Sequence, residues 1–181
     1  MRTISTFHHR MSGPHSGPYL LATKTDASMI RWDTCRREFE PDGALRDIYV
    51  LDTTIKHWQI LFDVLRATYT LEYSVDHTVR PVPATVEEVF NNRNTVSPLL
   101  KFHVGSILVA CHFFTTTAIE FDICPRQVTS EVVLHELLGL LQLVGDTLGK
   151  AVIMSHEFDE QHPFITYEPS GKKFQYQKVA D

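Results

Sequence analysis

Three side chains past the middle of the chain are the residues in this sequence best suited to form a chemical site. They are the imidazole of His112 and the carboxylates of Glu120 and Asp122. An imidazole next to a carboxylate can exchange a proton with a substrate or supply ligands to a divalent cation. The sequence therefore predicts His112, Glu120 and Asp122 as a candidate catalytic site, on the condition that the fold brings them together.

The residues around the two carboxylates predict how they are displayed. Apolar side chains occupy every second position from 119 to 123, and Glu120 and Asp122 lie between them. Strict alternation is typical of a strand with one face on a core and the other toward water. The same acidic face could instead bind a partner protein, and Arg126, which follows closely, is predicted as a third partner-binding residue beside Glu120 and Asp122.

The neighbour of His112 in the chain is Cys111, which suggests a thiol nucleophile with an adjacent base. Successive side chains of a strand point to opposite faces, so these two side chains cannot meet. The partner of His112 must therefore come from another strand. One strand register places His112 opposite Asp122, and a slip of one residue places His112 opposite Phe121.

Residues 155–163 (SHEFDEQHP) contain the densest cluster of possible metal ligands in the chain. If this segment folds back on itself, His156, Asp159 and His162 could hold a divalent cation between them. The spacing does not match a calcium-binding EF-hand, which has a fixed ladder of ligands and a central glycine. An exposed loop between two strands would have the same composition, so both interpretations stay open.

Known catalytic signatures do not occur in the chain. The pair His135-Glu136 resembles the start of a helical zinc motif, but Gly139 stands where the second histidine is needed. The chain has neither a Gly-rich phosphate loop nor a G-x-S-x-G nucleophile elbow. These absences favour a non-enzymatic protein, and no cofactor is predicted.

The elements that must position these residues follow from the apolar periodicity. Residues 101–125 are predicted as three short strands, with turns at 105–106 and 115–117. Side-chain caps predict helix starts near residues 54, 85 and 130. Further strands are predicted at 47–51, 69–75, 151–154, 164–167 and 174–176, and weaker alternation suggests edge strands at 19–22 and 29–32.

This order of elements predicts an α+β fold. We expect a mostly antiparallel twisted sheet with a central three-strand meander, and three helices packed mainly on one side. Residues 1–18 combine Gly-Pro pairs with three histidines and show no periodicity, so they are predicted to be a flexible N-terminal arm. Residues 19–181 are then a single α+β domain, which is an ordinary domain length.

The composition bounds the setting of the protein. Hydrophobic residues make up 43% of the 181 residues, which is sufficient for a core. No apolar run approaches the roughly 18 residues of a membrane span, and the N-terminus lacks the apolar core of a signal peptide. Three cysteines without CxxC spacing are typical of a reducing compartment. We therefore expect a cytoplasmic protein with no membrane association.

Charge is unevenly distributed along the chain. Residues 1–46 carry seven Lys and Arg against five Asp and Glu, a balance of +2. Residues 47–181 carry ten against seventeen, a balance of −7. An acidic body repels phosphates, which argues against nucleic-acid binding and makes a basic protein the partner that its charge would attract.

These observations favour a small acidic, non-enzymatic protein-binding module, for example an inhibitor or immunity-type protein. The order of its elements is similar to that of small bacterial immunity and accessory proteins, although a shared topology does not carry function. The alternative is a small hydrolase or metal-dependent enzyme that uses His112 with Glu120 or Asp122. Exposed edge strands allow a homodimer, so either a monomer or a homodimer is expected.

Overall fold

A computed structural model describes residues 30–178 of the 181-residue chain. In this range nine β-strands form one sheet, accompanied by four α-helices and two short 3-10 turns. The strands are β1 (Arg46–Leu51), β2 (Glu72–Val75), β3 (Thr78–Arg80), β4 (Pro98–Val104), β5 (Ile107–His112), β6 (Ala118–Ile123), β7 (Val152–His156), β8 (Ile165–Glu168) and β9 (Lys173–Tyr176). The helices are α1 (Trp32–Cys35), α2 (Ile55–Thr68), α3 (Val86–Asn92) and α4 (Glu131–Leu148); the first 3-10 turn is Arg36–Phe39 and the second is Pro125–Gln127.

The order of strands across the sheet is β3-β2-β4-β5-β6-β1-β7-β8-β9. Every neighbouring pair is antiparallel, so the predicted α+β class with a mostly antiparallel sheet is confirmed. The strand β1 lies between β6 and β7, although it precedes both by many residues. Strands from distant parts of the chain therefore meet at the centre of the sheet.

The N-terminal part of the described range differs from the sequence prediction. An edge strand was expected at residues 29–32, but Trp32 begins the single turn of α1. Four residues of weak alternation cannot distinguish a strand from one helical turn, because neither period repeats within so short a segment. The structure thus has four helices in the described part of the chain where three were predicted. The expected arm at 1–18 and strand at 19–22 lie outside the described residues.

The helix α2 begins as its sequence predicts. The Thr54 side chain accepts a hydrogen bond from the backbone N–H of His57, and the His57 side chain accepts one from the backbone N–H of Thr54. This reciprocal cap satisfies two donors that the first helical turn would otherwise leave free. The buried residues of α2 follow the spacing of one helical face; they are Trp58, Leu61, Phe62 and Leu65.

The helix α4 is the main cover of the sheet. It starts at an N-cap serine, Ser130, and ends at Gly149, whose φ of 63° is a left-handed conformation that glycine adopts without strain. It packs on α2 and on the strands β4, β7 and β8. None of the helices in residues 30–178 combines the length and the hydrophobicity that a membrane crossing requires.

The two faces of the sheet have different environments. On the core face, Ile48 of β1 lies beside Phe121 of β6, and both are fully buried. On the other face, called here the open face, Asp47 of β1 lies beside Asp122 of β6. The helices cover the core face, so the open face is where polar side chains of adjacent strands can gather.

A network of charged side chains holds the first 3-10 turn against the core face. Arg46, only 1% exposed, donates hydrogen bonds to the backbone oxygen of Glu38 and to the carboxylate of Asp42. The Glu38 carboxylate in turn accepts a bond of 2.8 Å from the Tyr176 hydroxyl and lies 3.1 Å from Nε2 of His156. These contacts fix the N-terminal segment on strands β1, β7 and β9.

Candidate functional site

The open face brings together four polar side chains from three adjacent strands. They are Asp47 of β1, Glu120 and Asp122 of β6, and His112 of β5, and they are called here the acidic site. Carboxylate oxygens of Asp47, Glu120 and Asp122 all lie within 4.8 Å of one another. The three residues predicted as a catalytic site thus lie together, joined by a carboxylate that the prediction did not include.

His112 pairs with Asp122 in a way that the sequence did not predict. The register places His112 opposite Glu120, rather than opposite Asp122 or Phe121. Its Nε2 nevertheless lies 2.8 Å from Oδ2 of Asp122, because a diagonal neighbour on the adjacent strand is within reach of an imidazole. The hydrogen bond to Asp122 is the main cause that raises the pKa of His112, and partial burial opposes it.

The expected separation of Cys111 and His112 is present in the structure. Cys111 points into the core, where it is 1% exposed, and His112 lies on the open face. Burial raises the pKa of the Cys111 thiol, so it stays protonated at neutral pH. The thiol therefore takes no part in the chemistry of the acidic site.

Asp47 is the most buried member of the acidic site, with 2% of its surface exposed. Its Oδ2 accepts hydrogen bonds from the Tyr49 hydroxyl at 2.7 Å and from the backbone N–H of Phe158 at 2.9 Å. Burial is the largest cause that raises the pKa of Asp47, and the charges of Asp122 and Glu157 add to it. The two hydrogen bonds act in the opposite direction and favour the ionised form.

Glu120 has the most strongly altered carboxyl group of the acidic site. Its pKa is raised from 4.5 to about 7, first by burial and then by the charges of Asp47 and Asp122, while His112 lowers it. Like charges on directly neighbouring strands repel each other, and a proton on Glu120 relieves that repulsion. At neutral pH, therefore, Glu120 exists in both protonation states and can accept or donate a proton.

The loop between β7 and β8, residues 157–164, covers one side of the acidic site. Its Phe158 adopts a left-handed backbone conformation with φ of 61°, and its Glu157 accepts a hydrogen bond from the backbone N–H of Leu45 at 3.1 Å. The charge of Glu160 helps to raise the pKa values of both Glu120 and Tyr49. Tyr49, only 6% exposed, bonds to the same carboxylate oxygen of Asp47 as the loop does.

The second cluster predicted from the sequence is not brought together. His156 is the last residue of β7 and pairs with Glu38 beside the core face. His162 pairs with Asp159 at 2.7 Å within the exposed loop. Within residues 30–178, the side chains close enough together to hold a metal ion are those of Asp47, Glu120 and Asp122.

Arg126, predicted as a partner-binding residue with Glu120 and Asp122, lies elsewhere. It belongs to the second 3-10 turn, beyond the end of β6, and lines a groove with Trp32 and Arg36. Within the described residues no ion pair joins Arg126 to either carboxylate. Glu120 and Asp122 thus form one surface with Asp47 and His112, and Arg126 contributes to a different one.

Sequence patterning alone does not identify Asp47 and Tyr49 as site residues. They alternate with Ile48 and Val50 as Glu120 alternates with its apolar neighbours. That alternation indicates a strand with one polar face, but the surrounding apolar residues made β1 resemble a strand buried on both faces. Their proximity to Glu120 depends on the pairing of β1 with β6, for which the sequence has no local sign.

Comparison with protein-family models, with curated proteins and with solved structures finds no significant match for this chain. The chemistry of the acidic site must therefore be inferred from its own groups. The imidazole–carboxylate pair and the Glu120 carboxyl group can exchange protons near neutral pH. The three carboxylates also supply the hard oxygen ligands that Mg²⁺ or Mn²⁺ prefers.

Proposed function

We propose that the chain is a small enzyme of the hydrolase type, with the acidic site as its acid–base centre. The observation that carries this proposal is the His112–Asp122 pair, at 2.8 Å, directly beside a carboxyl group whose pKa is about 7. Catalytic acids and bases need pKa values close to the working pH, and clusters of neighbouring charged groups are how proteins produce them. Of the two functions that the sequence left open, we therefore favour the enzyme over the non-enzymatic binding module.

The two titrating groups have different roles in this proposal. The hydrogen bond to Asp122 raises the pKa of His112 and favours its protonated form, so His112 acts as the general acid. Glu120 is partly ionised at the same pH and acts as the general base toward a water molecule. Asp122 orients the imidazole, and Asp47 keeps the pKa of Glu120 high through its charge.

Turnover of chromogenic esters, phosphate esters and glycosides by the full chain tests this proposal. We expect Glu120→Gln and His112→Gln each to reduce the rate by about 10²- to 10⁴-fold, the usual contribution of a general acid or base. Glu72→Gln, which removes an exposed carboxylate of β2, is the matched control and should retain the activity. The rate should depend on two protonation states, because the reaction needs Glu120 ionised, with a pKa of about 7, and His112 protonated.

Assays with a chelator and with added Mg²⁺ or Mn²⁺ distinguish a metal-assisted reaction from proton transfer alone. A rate that a chelator abolishes and Mn²⁺ restores assigns a cation to Asp47, Glu120 and Asp122. No turnover of any of the three substrate classes, or full activity in Glu120→Gln, would contradict the proposed enzyme.

The non-enzymatic alternative is a module that binds a basic protein, and a separate observation favours it. Two exposed phenylalanines flank the acidic site: Phe114 stacks on the His112 ring and is 55% exposed, and Phe158 is 85% exposed. Aromatic rings next to carboxylates are suited to Lys and Arg side chains. In that case Phe158→Ser and Glu120→Gln should each weaken binding to a Lys- and Arg-rich peptide, and added salt should weaken it further. Salt-insensitive binding would argue against this alternative.

We also propose a cytoplasmic location and either a monomer or a homodimer. All three cysteines, Cys35, Cys111 and Cys124, are free thiols, which supports a reducing compartment. The strand β9 lies at an edge of the sheet, where a second copy could pair with it. Fractionation of cells and the molar mass in solution test these two points.

A further inference from the structure

A groove outside the acidic site lies between the two 3-10 turns. Its volume is about 400 Å³, within the range of small-molecule sites. Phe39 and Val128, 3% and 2% exposed, are buried residues of its lining, and the half-buried ring of Trp32 also lines it. The groove therefore offers an apolar surface with an aromatic ring, large enough for a group the size of a benzene ring.

Two guanidinium groups, those of Arg36 and Arg126, line the same groove. No described residue forms a hydrogen bond or ion pair with either side chain, whereas Arg46 and Arg66 are paired with aspartates. The carboxylate of Glu40 also lines the groove, so its charged groups together carry +1. This local positive balance contrasts with the net charge of −5 of the whole chain.

We infer that this groove binds a small organic anion, namely a carboxylate or phosphate group attached to a flat apolar body. A planar guanidinium donates two parallel hydrogen bonds to such an anion, and an arginine without a carboxylate partner is available to do so. The apolar body would lie against Trp32 and Phe39. The acidic site repels the same ligand, so the two sites recognise opposite charges and this inference does not depend on the proposed enzyme.

Titration of the full chain with benzoate and with phenyl phosphate tests the inference, with benzamide as a neutral compound of the same shape. We expect the anions to perturb the fluorescence of Trp32 and the amide resonances of Val128 and Thr129. Trp58, 2% exposed and bonded to a backbone oxygen, should not respond and serves as an internal reference. Benzamide should bind at least about tenfold more weakly, because it lacks the charge that strengthens hydrogen bonds to arginine. The ratio of the two anion affinities identifies the preferred acidic group.

Variants of the two arginines complete the test. Arg36→Gln and Arg126→Gln should each weaken binding of the better anion by about tenfold. Arg93→Gln, at the exposed end of α3, is the control and should leave binding unchanged. Both arginines of the groove are exposed, and an unchanged circular dichroism spectrum shows that each variant folds. Equal affinities for benzoate and benzamide, no anion binding at millimolar concentration, or unchanged binding in both variants would each overturn the inference.

Discussion

The proton on Glu120 connects the acidic site to the stability of the whole domain. The pKa of this carboxyl group is about 7 in the folded protein, against an ordinary value of 4.5. The folded state therefore binds the proton more tightly than the unfolded state does. Between pH 4.5 and 7 the unfolded state loses its proton first, so the free energy of unfolding falls as the pH rises. His112, whose pKa is also raised, acts in the same direction from pH 6.5 upward.

Glu120→Gln should change this pH dependence in a predictable direction. Glutamine resembles the protonated carboxyl group and cannot ionise, so it removes the repulsion by Asp47 and Asp122. At pH 8 we expect the variant to be more stable than the parent by about 1 kcal/mol, a figure reduced for solvent screening at a partly exposed site. Urea unfolding at several pH values between 4.5 and 8 measures it, with Glu72→Gln as the control. If the free energy of unfolding has the same pH dependence between pH 4.5 and 7 in the variant as in the parent, Glu120 titrates normally.

At this scale the sequence predicted part of the site, and the reason is local. The alternation around Glu120 and Asp122 is enough to place both carboxylates on one face. The observed register, with His112 opposite Glu120, was neither of the two that the sequence analysis considered, because register is set by the partner strand. Asp47 was not predicted, because its neighbours in space are far from it in sequence.

At the scale of elements, the loop between β7 and β8 depends on a single carboxylate of the acidic site. Oδ2 of Asp47 accepts both the backbone N–H of Phe158 and the hydroxyl of Tyr49. A second attachment joins Glu157 to the backbone of Leu45. Removing the acceptor at Asp47 leaves the buried Tyr49 hydroxyl and the partly buried N–H of Phe158 without a partner, which costs about 1–3 kcal/mol. The position of the loop is therefore coupled to the state of Asp47.

Asp47→Ala should loosen this loop and alter the acidic site at the same time. We expect the backbone amide of Phe158 to exchange its hydrogen at least about tenfold faster, because its acceptor is gone. The pKa of Glu120 should move down toward its ordinary value, because the charge of Asp47 helps to raise it. Hydrogen exchange and carboxyl NMR measure the two effects. Asp159→Ala, in the same loop but with its side chain paired to His162, is the control and should leave both quantities unchanged.

At the scale of the whole molecule, local signals predicted the elements and could not predict their arrangement. The caps at Thr54 and Ser130 were predicted from the sequence. The insertion of β1 between β6 and β7 was not, because it joins residues that are 67 to 110 positions apart. That single insertion brings Asp47 next to Glu120 and Asp122. The complete site could therefore be predicted only if the strand order were predicted as well.

The central place of β1 also has a consequence for biosynthesis. When the ribosome has completed the chain only through α4, β1 can pair with β6 but its other edge has no partner. An unpaired edge in the middle of a sheet is a template for pairing with another chain. We therefore expect a truncation that removes residues 150–181 to aggregate, which light scattering would detect against the full chain. A monomeric, soluble truncation would show that the nascent domain tolerates the exposed edge. Aggregation would show that β7, β8 and β9, which are synthesised last, protect the edge of β1 from self-association.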